Sequence, residues 1–324
     1  MKLRKPNTPK PERKEVNPLL LVDGNNLVAR MTHVFLGLKS VGIDNGGLFG
    51  SIQVLSRFLG KFEFSGIYFC VDKGVPEFRK KAVLASNKIG NPDGDMILEY
   101  KGNRPDAEDE FKAEYIRQIK LAEEHLPKLG INVAYALGYE ADDVIAGLAR
   151  SAKSRRQRVV VYSNDGDMVQ LKDDSISVYH PTKDIFIQEV PKGLLIKKAI
   201  VGDSSDNIKG VPGIGAKRAD AVFDELNISE EYRDDIQFFV DELSKYQGSN
   251  KFVLKVKEHA KAVELAHSAL DLSMTEEEVM EHLEINRGVL DSVEIVKMFK
   301  EFRFNDFLEN FKMYIRPFER AISG

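Results

Sequence analysis

LLLVD, residues 19–23, decides how the rest of the chain is read. A short, unbroken apolar run that stops at an aspartate has the length and content of a strand buried on both faces. The same pattern returns in IYFCVD (67–72) and in RVVVYSNDGD (158–167), where Val159, Val160, Val161 and Tyr162 form the strand. Between these runs, Leu48, Ile52, Leu55 and Leu59 recur at helical spacing, as do Phe111, Tyr115, Ile119, Ala122 and Leu126. Strands alternating with helices predict an α/β fold with a mostly parallel central sheet and helices on both faces. After about Pro191 the pattern changes to helices separated by glycine turns and charged stretches, which predicts a C-terminal helical lobe over 191–324.

Residues 1–18 mix lysine, arginine and four prolines with almost nothing to pack, and read as a disordered basic tail. Residues 80–97 are turn-rich and poorly periodic, as expected of a mobile loop or loop-helix excursion. Residues 229–259 are polar and helical in character, without a chemical signature. A chain of 324 residues, 43% hydrophobic and 30% charged, can bury a full core as one large domain or a core with a smaller lobe. No stretch approaches the roughly 18 apolar residues of a membrane helix, and the N-terminus lacks the apolar block of a secretory signal, so a cytoplasmic location without membrane contact is expected. Cys70 is the one cysteine, which excludes an internal disulfide or a thiolate metal cluster and favours a buried structural thiol.

Each of the three apolar runs ends in acid: Asp23, Asp72, and Asp165 with Asp167. Ligands of open parallel sheets lie outside the carboxyl ends of the strands, so these acids should converge. Two further groups are Glu140, Asp142 and Asp143 in YEADDVIAGLA, and Asp203 with Asp206 in GDSSDN. Singly, such aspartates cap helices or complement a helix dipole. Together they repel and raise one another's pKa unless a cation neutralises them. Without paired histidines at ligand spacing, oxygen-only ligation suits Mg²⁺, with Mn²⁺ as substitute, better than Zn²⁺. Carboxylate-bound Mg²⁺ acts mainly on phosphates, which points to phosphoester hydrolysis. The net charge of −4 is low for a nucleic-acid binder. With nine carboxylates assigned to a metal site, however, the remainder carries about +5. No GxxxxGK[ST] occurs, which disfavours nucleoside triphosphate hydrolysis, and no Ser/His/Asp arrangement is legible.

YKGNR (100–104) precedes a long helix starting near Asp106, so Lys101 and Arg104 stand where two cations reach a phosphate at the metal site; a solvated charge cluster is the alternative. In GVPGIGAKRAD (210–220), Gly210, Gly213 and Gly215 surround a short apolar hairpin that opens a helix carrying Lys217 and Arg218. Exposed amides, a helix N-terminus and two cations make a sequence-blind grip on a phosphate backbone, and a plain glycine-capped turn is the alternative.

VDGNNL, VDKG, YKGNR, YEADD, NDGD and GDSSDNIKGVPGIGAKRA together resemble, in order, the motifs of the 5′ nuclease family over roughly residues 19–219. These are the flap endonucleases and 5′-3′ exonucleases, and the likeness is greatest to the free-standing bacteriophage members, including those acting as phage ribonuclease H. KMFKEFRFNDFLENF (297–311) more weakly resembles the aromatic segment that ends such domains. The resemblance implies a PIN-like catalytic domain over 19–190 with an arch region at about 79–110, and a helix-three-turn-helix element at about 196–225 that grips duplex DNA. It implies two metal ions, with Asp23, Asp72, Glu140, Asp142 and Asp143 nearer one and Asp165, Asp167, Asp203 and Asp206 nearer the other. It assigns Lys101 and Arg104 to the scissile phosphate, with Tyr100 beside them, and a monovalent cation to the carbonyls of the 210–215 hairpin. The implied activity is cleavage at 5′ ends, flaps and RNA primers of branched DNA or RNA-DNA duplex during replication. The implied agent is a monomer working alone or with separate replication proteins such as a single-stranded DNA-binding protein. One departure is the stretch between Arg79 and Tyr100, longer than expected and carrying Asp93 and Asp95 where basic residues would guide a strand. Two other readings of the same residues are a catalytically silent junction-binding module and a PIN-type ribonuclease acting on single-stranded RNA.

Overall fold

The computed structural model describes residues 16–35, 45–90, 98–102 and 109–323. Among these residues seven strands form one sheet: β1 (Leu19–Asp23), β2 (Gly66–Cys70), β3 (Asn132–Ala136), β4 (Val159–Tyr162), β5 (Ile176–His180), β6 (Ile185–Phe186) and β7 (Leu283–Asn286). Their order is β6-β5-β4-β1-β2-β3-β7. The five central strands run parallel, and β6 and β7 close the edges antiparallel. The order turns at β1, with β2 on one side and β4 on the other. The crevice outside the carboxyl ends of β1 and β4 is therefore the topological switch point, where open α/β sheets bind their ligands.

Burial on both faces is what the apolar runs of β1, β2 and β4 encode. Leu20 and Val22 enter one core with α1 (Gly24–Phe35), α2 (Gly46–Lys61) and α4 (Asp109–His125). Leu19, Leu21 and the fully buried Cys70 enter the other, with α5 (Ala141–Ser154). Gly24 follows Asp23 because α1 starts hard against β2: a Cβ there would lie 2.6 Å from the Cys70 carbonyl oxygen.

A third core joins α3 (Glu77–Gly90) to α6 (Leu194–Val201), α7 (Ala216–Glu225), α8 (Ile236–Lys245), α9 (Lys251–Glu258) and α10 (Ala260–Leu270). The turn-rich reading of 80–97 is thereby corrected over its first half. Residues through Gly90 are helical, with Ala82, Val83, Ser86 and Asn87 buried. The Ser86 hydroxyl donates to the Ala262 carbonyl at 2.9 Å, tying α3 to α10. The face that packs is small and polar, so hydropathy alone gave no periodic signal. Asp93, Asp95 and most of the 1–18 tail lie outside the described residues.

The single helical lobe expected over 191–324 is also corrected. After α11 (Glu276–Glu281) the chain returns to the sheet, where β7 pairs with β3. Then α12 (Ser292–Glu301), α13 (Asn305–Glu309) and α14 (Phe311–Ser323) pack Ile295, Phe299, Phe307 and Phe318 into the same core as α1 and α2. As an edge strand with mostly exposed side chains, β7 carries no apolar run to announce it.

Candidate metal and nucleic-acid site

The predicted acids gather at the switch point, each brought by a different local device. Asp23 ends β1 and is 4% exposed; one of its oxygens accepts from the Asn26 amide at 3.0 Å and the other from the Ser163 hydroxyl at 2.6 Å. Burial pushes its pKa up to about 6 against those hydrogen bonds, with Asp72 and Asp165 adding to the rise. Asp72 lies two residues past β2 and accepts from the Ala141 amide at 2.7 Å, at the start of α5. Asp165 caps a 3-10 turn, Gly166–Leu171, by accepting from the Asp167 amide at 2.8 Å. Helix capping and site building are thus two uses of the same carboxylates.

Asp142, in the first turn of α5, is the acid with nothing to neutralise it: among the described residues no hydrogen-bond donor or cation is paired with its carboxylate. Burial drives its pKa well above the ordinary aspartate value, and the charges of Asp23, Asp165, Asp72 and Glu140 drive it further. A second group is formed by Asp167, Asp203 and Asp206, whose oxygens lie within 4.8 Å of one another. Burial raises Asp206 to about 6; Lys101 opposes the shift, while Asp167, Asp203 and Glu140 add to it. Asp165 itself presses on both subclusters, being among the charges that raise Asp23, Asp142 and Asp167. Its charge is felt in both groups of acids. The donors are all carboxylate oxygens with no imidazole or thiolate among them, a set that fits a hard divalent cation.

Two members of the predicted ligand set are used otherwise. Asp143 is fully buried, and all of its acceptor capacity is spoken for. Arg79 donates to its two oxygens at 2.7 and 3.0 Å, the Thr275 hydroxyl donates to one of them at 2.7 Å, and the Glu140 amide donates to the other at 3.1 Å in a capping box. In this arrangement of donors Asp143 acts as a structural anchor. Glu140 accepts from Arg79 at 2.8 Å, from the Tyr100 hydroxyl at 3.0 Å and from the Lys101 ammonium. Burial alone would raise its pKa, but Lys101 and Arg79 outweigh it and hold the carboxyl below the usual range. Glu140 therefore links the basic segment to the cluster, with no oxygen free of a donor.

Lys101 adopts a left-handed backbone (φ 56) that turns its ammonium between Glu140 and Asp206, the latter at 3.8 Å. Arg104 lies outside the described residues. Sequence reasoning missed Arg79, 3% exposed, and Lys198, whose ammonium sits between Asp167 and Asp203, 2.6 Å from the latter. Lys198 offered a signal: it is a basic residue in the last turn of the helix that leads directly into GDSSDN. Burial would raise Asp203, yet Lys198 and Ser205 hold it below the ordinary value.

The hairpin between α6 and α7 follows from two glycines back to back. Gly202 (φ 92) and Gly210 (φ 66) both need the left-handed region, and a Cβ on Gly210 would meet the Gly202 nitrogen at 2.4 Å. Val211 and Ile214 are buried, while Gly213, Gly215, Lys217 and Arg218 are exposed. The Gly213 carbonyl is taken by Arg218 at 2.5 Å and the Val211 carbonyl by the Ile214 amide at 3.1 Å. The first amides of α7 have no partner within their own helix, as at any helix start, and here they stand beside two cations.

Comparison with known proteins adds the family. The profile of the 5′-3′ exonuclease N-terminal, resolvase-like domain matches residues 18–195. A 5′-3′ exonuclease of Bacillus subtilis is 34% identical over 63% of this chain and 68% of its own length. A thermostable DNA polymerase I of Thermus thermophilus is 31% identical over 62% of this chain but only 23% of its own. Among solved structures, a bacteriophage T5 protein crystallised with metal ions superposes with a TM-score of 0.59 at 22% identity, covering 94% of this chain and 99% of that one. A bacteriophage T5 flap endonuclease in complex with DNA and metal ions gives 0.58 at 21% identity, covering 94% and 98%. The switch-point carboxylates, the fold and these matches lead to one conclusion: the chain belongs to the 5′-3′ exonuclease family of 5′ nucleases.

Proposed function

We propose that this chain is a divalent-cation-dependent, structure-selective 5′ nuclease that hydrolyses phosphodiesters at 5′ ends, flaps and RNA primers. The observation that carries the reading is the unneutralised Asp142 within a carboxylate cluster at the sheet's switch point, flanked by a basic hairpin with exposed amides. Asp23, Asp72 and Asp142 would hold one cation, and Asp167, Asp203 and Asp206 a second, with Asp165 between them. Mg²⁺ is the ion proposed, with Mn²⁺ in its place, because every donor is a carboxylate oxygen. Cations bound there would supply Lewis acidity toward the phosphate oxygens and lower the pKa of the attacking water.

The protein's own part is positioning. Lys101 and Lys198 sit among these acids with 24% and 26% of their side chains exposed, so an entering phosphate would meet ammonium groups already held at the site. Arg79 fixes α5 against α3 and α10, since its Nε also donates to the Ala269 carbonyl at 2.9 Å, and this holds Asp142 and Glu140 in register. The Gly213–Arg218 turn would take the duplex through its backbone phosphates, giving preference for structure over sequence. A monovalent cation at the hairpin carbonyls would have to displace the Arg218 guanidinium from Gly213. The helical lobe that holds the duplex also supplies Asp203 and Asp206, so binding and cutting share one seam. Ribonuclease H-type removal of primers, action as a monomer, and cooperation with a single-stranded DNA-binding protein belong to the same proposal.

The test is to replace Asp165 or Asp167 by alanine. Cleavage of a 5′-flap substrate in Mg²⁺ should vanish while duplex binding persists. Full cutting by either variant would refute the site.

A further inference from the structure

We propose a phosphate subsite for a substrate strand in the cavity between α1, α2 and the ends of β4 and β5, a proposal that rests on the nuclease reading. The cavity holds about 340 Å³ and is lined by Arg30, Arg57, Lys61, Tyr162, Tyr179 and Asp184, among others. Its lining carries three cations against one carboxylate. That carboxylate is already engaged: Asp184 accepts from Lys61 at 2.8 Å and from the Tyr179 hydroxyl. Arg57 is exposed and has no hydrogen-bond or ion-pair partner among the described residues.

Arg30 is the more telling group. Among the described residues its guanidinium donates only to the Thr182 hydroxyl at 3.2 Å and to the Tyr162 hydroxyl at 3.5 Å. Its Nε is buried without a partner among the described residues. A partly buried guanidinium has five N–H groups and no acceptor capacity, and without an anion it leaves desolvation uncompensated. A phosphate oxygen seated between Arg30 and Arg57 supplies the acceptor that the buried Arg30 Nε lacks and adds an anion beside Arg57, which among the described residues otherwise feels only the already engaged Asp184, and the bidentate fork of either one suits it.

The cavity is wired to the acid cluster. Ser163, next to Tyr162, donates to Asp23; Asn164 donates to Asn26 at 3.3 Å and accepts from the Thr182 amide at 3.0 Å. Thr182 in turn holds Arg30. Along α1, Arg30 is two turns beyond Asp23, on the order of 10 Å. That separation places the bound phosphate within a few nucleotides of the cleaved bond. The subsite would sense that a strand continues past the junction, independent of its bases.

The experiment measures binding of a 5′-flap duplex in EDTA, where no cleavage occurs, with one charge-neutral methylphosphonate linkage moved stepwise across the junction. Wild-type protein should lose about tenfold in affinity at one position within a few nucleotides of the junction. Arg57→Ala should bind the unmodified duplex about tenfold more weakly and be indifferent to that one modification, with the salt slope reduced by about 1. Because Arg57 is exposed, its loss leaves the fold intact; Arg30→Gln should repeat the pattern. Penalties that multiply at every position overturn the proposal. So does a flat scan in which free deoxynucleoside monophosphate competes with wild type but not with Arg57→Ala, which would assign the pocket to released nucleotide. Cleavage of the unmodified flap by wild type in Mg²⁺, run alongside, separates the two claims: cutting with a flat scan sinks only the subsite, and no cutting with a positive scan sinks only the nuclease reading.

Discussion

Replacing Asp206 with asparagine should stabilise the metal-free protein at neutral pH, against the ordinary expectation for losing a charged residue beside a lysine. Asp206 is raised from 3.8 to about 6, chiefly by burial and then by the acids around it. Its side chain is 15% exposed, so little of this is screened by water. In the unfolded chain the group titrates near 3.9, so between about pH 4 and 6 the folded state binds more protons and stability falls as pH rises. A net shift of about 2 pKa units, which already includes the opposing Lys101 contact, at 1.36 kcal/mol each sets a ceiling of about 3 kcal/mol at pH 7.5. At roughly 2 °C per kcal/mol, thermal unfolding in EDTA at pH 7.5 should rise by about 3–6 °C. At pH 4 the difference should be near zero, because the wild-type carboxyl is then largely protonated. With Mg²⁺ at pH 7.5 the order should reverse, because the cation stabilises only the intact cluster. A variant that is less stable than wild type in EDTA at pH 7.5, or equally shifted at both pH values, would refute the reasoning.

The other predictions concern separate parts of the account. Arg79→Met leaves Asp143 buried without its cation and should cost about 3–5 kcal/mol in denaturant unfolding, where a loss under about 1 kcal/mol would contradict the anchor role. Lys198→Ala removes an ammonium that competes with a cation for Asp167 and Asp203; the Mg²⁺ concentration giving half-maximal thermal stabilisation should fall, and a rise would count against two cation positions. Lys217→Ala with Arg218→Ala should lower the salt slope of duplex binding by about 2 whatever the base sequence, and a loss confined to certain sequences would contradict a backbone grip.

The strand-end acids were legible because the signal is local: an apolar run buried on both faces must stop where the chain meets solvent, and the residue there faces the crevice. Asp142 and Asp143 show where that logic ends. Adjacent residues on a helix point about 100° apart, so one meets Asp23 and Asp165 while the other meets Arg79 and Thr275. Sequence adjacency suggested a shared role that helix geometry forbids. Arg79 itself was invisible because a cation in a charged stretch reads as solvated, and only the α3–α5 packing buries it. The return of β7 and α12–α14 was hidden differently: their contacts with β3 and α2 are long-range, and an exposed four-residue edge strand leaves no pattern. The switch point likewise depends on strand order, which no single segment encodes.

The central claim meets its most direct test in mapping the products from end-labelled 5′-flap, nicked and RNA-primed duplexes, with Mg²⁺ and with excess EDTA. The account predicts cutting near the junction that leaves a 5′-phosphate and a 3′-hydroxyl, requires Mg²⁺ and ignores the junction's sequence. Undiminished cutting in EDTA, or equal cutting of free single-stranded RNA, would contradict it.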